Sequence, residues 1–146
     1  MTLQWNPGLV LGIESMDLTH REFVDRLVGF ELVTDSELRA RYADIVQHTV
    51  DHFRREDEWM RRLDYAHAET HTEEHDKVLK VMTAVTHCVE KGDTRFGRIL
   101  IRVIAKWFHE HALTMDAALA RFLHASGHGP AGPAQTPGDL PDGPGR

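Results

Sequence analysis

The 146-residue chain has one cysteine, Cys88, so no disulfide can form within it. That excludes the small secreted scaffolds held by paired cysteines. No apolar run approaches the roughly 20 residues that span a bilayer, which argues against membrane insertion. Basic charge is scarce: 17 lysines and arginines face 23 acidic residues, giving a net charge of -6. A nucleic-acid partner, which needs a basic face, is not expected. The opening MTLQWNPGLVLGIESMD has no basic stretch before an apolar run, so it does not read as a signal peptide. With the lone cysteine, this points to the cytoplasm. What the chain has in excess is histidine, 11 residues.

The organising stretch is HFRREDEWMRRLDYAHAETHTEEH, His52 to His75. His52 and Glu56 are four apart, as are His71 and His75. On a helix such pairs project from one face. A break is expected around Asp64 to Glu69, so the stretch reads as two antiparallel helices, each offering two ligand-type side chains. In residues 1 to about 14, Pro7, Gly8 and Gly12 oppose a helix, while Trp5, Leu9, Val10, Leu11 and Ile13 are too apolar for a free tail. An ordered arm is expected. Ser15 or Asp17 is the expected cap of the first helix, whose seam runs Met16, His20, Phe23, Leu27, Phe30. Thr34 and Thr70, each followed three residues later by glutamate, suggest capping boxes for the second and third helices.

The second seam is Leu38, Tyr42, Ile45, Thr49, His52, Glu56, Trp59, Leu63; the third is His71, His75, Val78, Met82, Val85, Val89. Gly92 is placed to end the third helix, and Asp93 or Thr94 to start the fourth. There the seam runs Leu100, Ile104, Trp107, His111, then slips through Met115, Ala118 and Phe122. Asp116 follows His111 by five residues, about 140° around an ideal helix. From Ser126 onward glycine and proline dominate, and a disordered tail over 126–146 is expected.

Four amphipathic helices with short connections imply one domain over 1–125, an all-α, up-down-up-down four-helix bundle. All four seams then face one interior. Their polar members are His20, His52, Glu56, His71, His75 and His111, with Asp116 nearby. Unpaired in a core, several such groups would cost a few kcal/mol each; a metal satisfies them together. Five imidazoles and two carboxylates exceed a tetrahedral zinc site and suit two octahedral ions sharing bridging carboxylates. Imidazole leaves Fe, Zn, Cu and Ni open. His48, His67, His87, His109, His124 and His128 read as surface groups or supports of the ligands, His48 being the closest to the site, one turn before His52.

Over roughly residues 3–123 the chain resembles the bacterial hemerythrins. The resemblance is carried by LQWNPGLVLGIESMDLTH, HFRRED, HTEEH and WFHEHALTMD, which keep the family's H-F-x-x-E, H-x-x-x-H and W-x-x-x-H-x-x-x-x-D motifs. It implies one iron held by His71, His75 and His111 and a second held by His20 and His52. Glu56 and Asp116, with an oxo or hydroxo group, would bridge them. It further implies reversible dioxygen binding at the second iron rather than enzymatic turnover, with small anions such as azide as competing ligands; a monomeric protein is expected. Phe23, Trp107 and Phe108 would line the dioxygen pocket. Ala112 and Val78 stand where the family commonly has isoleucine and phenylalanine, so a more open pocket is expected. Two other classes stay in view: a di-iron oxidase, peroxidase or nitric-oxide-handling enzyme, and an iron store or sensor.

Overall fold

The computed structural model describes residues 3–127. Helix α1 spans Glu14–Gly29, α2 Asp35–Arg62, α3 Ala68–Glu90 and α4 Thr94–His111. A π turn, Ala112–Asp116, carries α4 into α5, Ala117–Ala125, with no departure from helical dihedrals at either junction. These two helices form the fourth rod. Contacts of α1 with α2, α2 with α3, α3 with α4 and α4 with α1 close the ring. The expected four-helix bundle is what forms. The tail expected from Ser126 lies outside the described residues from His128 onward.

The seams bury as the periodicity requires except at the half-buried Leu63 and Val85, and the fourth is shifted. On α4 the fully buried aromatic is Phe108, while Trp107 is only half-buried. Beyond the π turn the buried line runs Asp116, Leu119, Ala120 and Leu123, not Met115, Ala118 and Phe122. The reason is the extra residue in the wide turn, which advances every later position by one.

The helix starts also differ from expectation. Helix α1 begins with Ile13 at its N-cap and no side-chain cap. Ser15 and Asp17 lie inside its first turn. The Asp17 carboxylate instead accepts the N–H groups of Leu11 (2.8 Å) and Gly12 (3.0 Å), binding the arm to the bundle. Thr34 is the N-cap of α2, but its hydroxyl pairs with Ser36 (3.1 Å) rather than closing a capping box. His67, not Thr70, is the N-cap of α3.

The helix ends follow expectation at Gly92. Asp93 N–H donates to Cys88 O (3.0 Å) and Gly92 N–H to Val89 O (2.9 Å), a Schellman closure with Gly92 at φ 93°. Helix α2 closes the same way with a non-glycine residue: Asp64 sits at φ 52°, and Tyr65 N–H reaches Met60 O at 3.0 Å.

The arm contains a short 3-10 turn, Pro7–Leu9, and buries Leu3, Leu9 and Ile13. It lies against the end of α5 at Gly12, φ 86°, where an added Cβ would come within 2.9 Å of His124 Nε2.

Two apolar clusters result. The larger includes Phe23, Leu27, Leu38, Tyr42, Phe53, Met82, Ile104 and Phe108. The smaller holds Ile13, Met16, Trp59, Met60, Tyr65, Leu119 and Leu123. On each rod the buried histidines and carboxylates fall near the boundary of these two groups, so the bundle encloses one layer of ligand-type residues.

Candidate metal centre

The layer gathers all seven seam-associated ligand-type residues. His20 comes from α1, His52 and Glu56 from α2, His71 and His75 from α3, His111 from α4, and Asp116 from the π turn. Each is at most 4% exposed. Their ligand atoms fall into two groups within which all atoms lie within 4.8 Å of one another: Glu56, His71, His75, His111, Asp116; and His20, His52, Glu56, Asp116. The two carboxylates belong to both.

The carboxylates divide their oxygens between the groups. Glu56 Oε1 is 3.4 Å from Nε2 of both His71 and His75. Its Oε2 is 2.9 Å from His52 Nε2 and 3.5 Å from His20 Nε2. Asp116 Oδ1 is 3.0 Å from His71 Nε2 and 3.1 Å from His111 Nε2, while Oδ2 is 3.1 Å from His20 Nε2. All five imidazoles turn Nε2 inward.

The π turn explains the spacing of five. A ring closed i to i+5 puts residue i+5 where an α-helix would put i+4. His111 and Asp116 therefore share a face, and the 140° offset of an ideal helix does not apply.

Several of these contacts lack hydrogen-bond geometry. His20 Nε2, His75 Nε2, Glu56 Oε1 and both Asp116 oxygens are buried with no hydrogen-bond partner. Within each group these atoms lie within 4.8 Å of the others without hydrogen-bonding to them. Buried polar groups left so are costly, and a cation within each group would satisfy them. The donor set is imidazole nitrogen and carboxylate oxygen with no thiolate, which suits iron, zinc, copper or nickel and excludes an iron–sulfur cluster. The residues fit a cation site.

Protons take the cation's place when the layer is empty of metal. Burial lowers the His20 and His71 pKa, but the Asp116 and Glu56 carboxylates outweigh it and push both up to about 10. Burial likewise opposes protonation of His75, which Asp57 and Glu56 push up to about 9. At His52 burial wins over Glu56, and the pKa falls. Burial raises the Glu56 carboxyl, yet His52, His20 and His71 hold it well below the usual range. Burial and the Glu56 charge raise Asp116, and His111 and His20 more than reverse this.

Around the layer, His75 Nδ1 donates to Asp57 Oδ1 at 2.8 Å, and Thr72 donates to the same oxygen at 3.1 Å. Phe53 stacks on His75, ring centres 3.9 Å apart and 6° from parallel. Trp107 stacks on His111 at 4.4 Å, which places it on the three-histidine side. Phe23 and Phe108 lie on the two-histidine side, edge-on to His52 (5.6 Å) and His20 (5.1 Å) respectively. Val78 and Ala112 are buried in the larger cluster, which also contains Phe53 and Phe108.

Sequence reasoning missed Asp57 and Phe53, because each directly follows a seam residue and a strict 3–4 stripe passes it by. The usable signal was that core-facing stripes are commonly wider than that seam.

Residues 11–123 match the family described as the hemerythrin HHE cation binding domain. The chain is 29% identical over 125 residues to the bacteriohemerythrin of Ralstonia nicotianae, covering 86% of this chain and 91% of that one. It is 25% identical over 122 residues to the bacteriohemerythrin of Stenotrophomonas maltophilia, covering 81% and 79%. Over 121 residues it is 23% identical to that of Clostridium acetobutylicum, covering 77% and 94%. The bundle, its buried histidine–carboxylate layer and these matches together assign the chain to the hemerythrin HHE cation-binding family.

Proposed function

We propose that the polar layer holds two iron ions and that the protein binds dioxygen reversibly there, without catalytic turnover. The supporting observation is the division of the Glu56 and Asp116 oxygens between two histidine groups. A carboxylate with one oxygen toward each group is suited to bridge two ions. His71, His75 and His111 would hold one iron, and His20 and His52 the other, with an oxo or hydroxo group as third bridge. Held there in the diferrous state, the pair would supply two electrons to bound dioxygen and take them back on release.

The chain's own residues set the conditions for that exchange. The two-histidine side offers one ligand fewer, leaving room there for dioxygen or a small anion such as azide. Phe23 and Phe108, both fully buried, exclude water from that side. Phe53 and Trp107 fix the rings of His75 and His111 by stacking on them. Val78 and Ala112 contribute little bulk to the same apolar wall. The histidine-rich donor set favours binding over the carboxylate-rich sites of oxidase bundles. The protein would act as a monomer and in the cytoplasm, the latter consistent with its single free cysteine.

Metal analysis and one absorption experiment test this reading. Iron-grown protein is expected to hold two irons per chain; when reduced it gains a coloured adduct in air and loses it under vacuum. One ion per chain, or zinc alone, would overturn the two-iron site. An adduct that decays with substrate turnover would make the protein an enzyme, and loosely held iron without an adduct a store. His20→Ala should impair dioxygen chemistry more than iron content, whereas unchanged spectra in both His20→Ala and His111→Ala would refute the ligand assignment.

A further inference from the structure

One histidine near the layer belongs to neither ligand group. His48, one turn before His52 on α2, has a side chain only 9% exposed. Both of its ring nitrogens are buried without a hydrogen-bond partner. It is held by stacking: its ring lies on Phe23, centres 5.5 Å apart and 9° from parallel, with its edge toward His52 at 6.2 Å. Phe23 in turn meets His52 and Phe108 edge-on. His48 thus closes an aromatic stack whose inner end covers the two-histidine side.

Its outer neighbour is Glu22 on α1, whose carboxylate is 38% exposed and lies 3.8 Å from His48 Nε2, just beyond a hydrogen bond. Arg26 reaches the same carboxylate at 3.9 Å, and Arg55 donates to Thr19 (3.1 Å) across the same α1–α2 seam. The inward ring gains stacking but leaves two polar atoms unsatisfied, which is unfavourable. Turned toward Glu22, whose carboxylate is already 3.8 Å away, the ring would pair one nitrogen and uncover Phe23. The two arrangements exchange one interaction for another, as a side-chain gate requires.

We propose that His48 is the gate through which small anions and diatomic molecules pass between α1 and α2 to the His20/His52 side of the layer. This rests on the two-ion reading above. Arg55 at the mouth suits an anion, Arg26 being paired with Asp44 at 3.0 Å, and the apolar Phe23 behind them suits an uncharged diatomic. The competing route is a cleft of about 230 Å³ lined by Tyr65, Thr70, His71, Met115 and Ala118. That cleft reaches the three-histidine group, whose ligand set is the fuller one.

The test compares wild type with His48→Ala, His48→Phe, Glu22→Gln and Met115→Trp in the full chain. Iron content is measured first, so that a protein without two irons counts against the proposed function and not against the gate. The rate of azide binding to the oxidised, iron-loaded protein is then followed by absorption. A parallel series follows cobalt(II) uptake by metal-free protein, which requires only that the layer binds a cation. His48→Ala should accelerate both processes several-fold. His48→Phe keeps the stack but has no polar atom to turn outward, and should slow both. Glu22→Gln should slow azide binding less than His48→Phe does. Met115→Trp should leave the rates unchanged. Rates in both His48 variants indistinguishable from wild type, or slowing by Met115→Trp alone, would overturn the gate. If one His48 variant fails to fold, the other carries the comparison.

Discussion

His111 Nε2 and Asp116 Oδ1 lie 3.1 Å apart although five residues separate them, because the helix between them opens into a single π turn. The wide turn thus makes one face serve both the polar layer and, beyond it, Leu119 and Leu123. Removing one residue from it should restore α-helical spacing, with the aspartate four residues after His111 and the later seam still in register. Deletion of Leu113, which is 43% exposed, is therefore expected to leave a folded bundle with an unchanged or higher melting temperature. Inserting an alanine after Leu113 rotates everything beyond it by about 100°. That should bury polar residues, expose Leu119 and Leu123, and lower the melting temperature by several degrees. Thermal melts of the two variants decide between these outcomes; equal melting temperatures would show that register beyond the turn is unimportant.

The pH dependence of stability should differ between metal-free and metal-loaded protein. In the metal-free state His20 and His71 have pKa values raised to about 10 and His75 to about 9. Each raised histidine contributes stability that is full below its unfolded value of about 6.5 and is lost as pH rises through the folded value. Glu56 and Asp116 are lowered, so their contribution is present above about pH 4 and lost as pH falls. His52 is lowered and works against the other histidines, losing stability as pH falls below about 6.5. The net expectation is a metal-free optimum on the acid side of neutrality. Metal competes with those protons, so the loaded protein should gain stability toward neutral and alkaline pH. Urea midpoints at pH 5, 6, 7 and 9 would show the metal-free value falling between pH 6 and 9 and the loaded value not falling. Parallel curves would refute the proton–metal exchange.

Asp57 should act on the metal through His75. Its carboxylate fixes the Nδ1–H tautomer of that ring and leaves Nε2 free to bind. Such supports typically contribute a factor of about 10–100 in metal affinity. Asp57→Asn is expected to raise the rate of iron loss to a chelator by a factor of that order, with little change in helix content. Retention equal to wild type would mean that Phe53 stacking alone holds the ring.

Asp64 occupies left-handed backbone space at φ 52° to close α2. Glycine adopts that conformation without the Cβ penalty of about 1–2 kcal/mol, although its greater freedom in the unfolded chain offsets part of the gain. Asp64→Gly should stabilise the bundle by about 0.5–1 kcal/mol in chemical denaturation. A loss of stability would show that the Asp64 side chain makes a stabilising interaction of its own.

The seams of the first three helices, the turns at Gly92 and Asp64, and the gathering of five histidines and Glu56 in one interior follow from spacing along the chain. Helical periodicity is local, so a histidine at a seam position must face the core once its helix forms and packs. The resemblance to the bacterial hemerythrins is likewise carried by short motifs within single helices. What the linear pattern could not contain are choices made between helices. Asp57 bonds His75 from a neighbouring helix, and Phe53 stacks on the same ring. His48 has its partner Phe23 on α1. The π turn is the sharpest case. Local propensity offers no reason for an i to i+5 turn at Ala112–Asp116. The packed bundle requires both His111 and Asp116 in the polar layer and Leu119 in the apolar cluster beyond it, and only a turn wider by one residue meets all three demands.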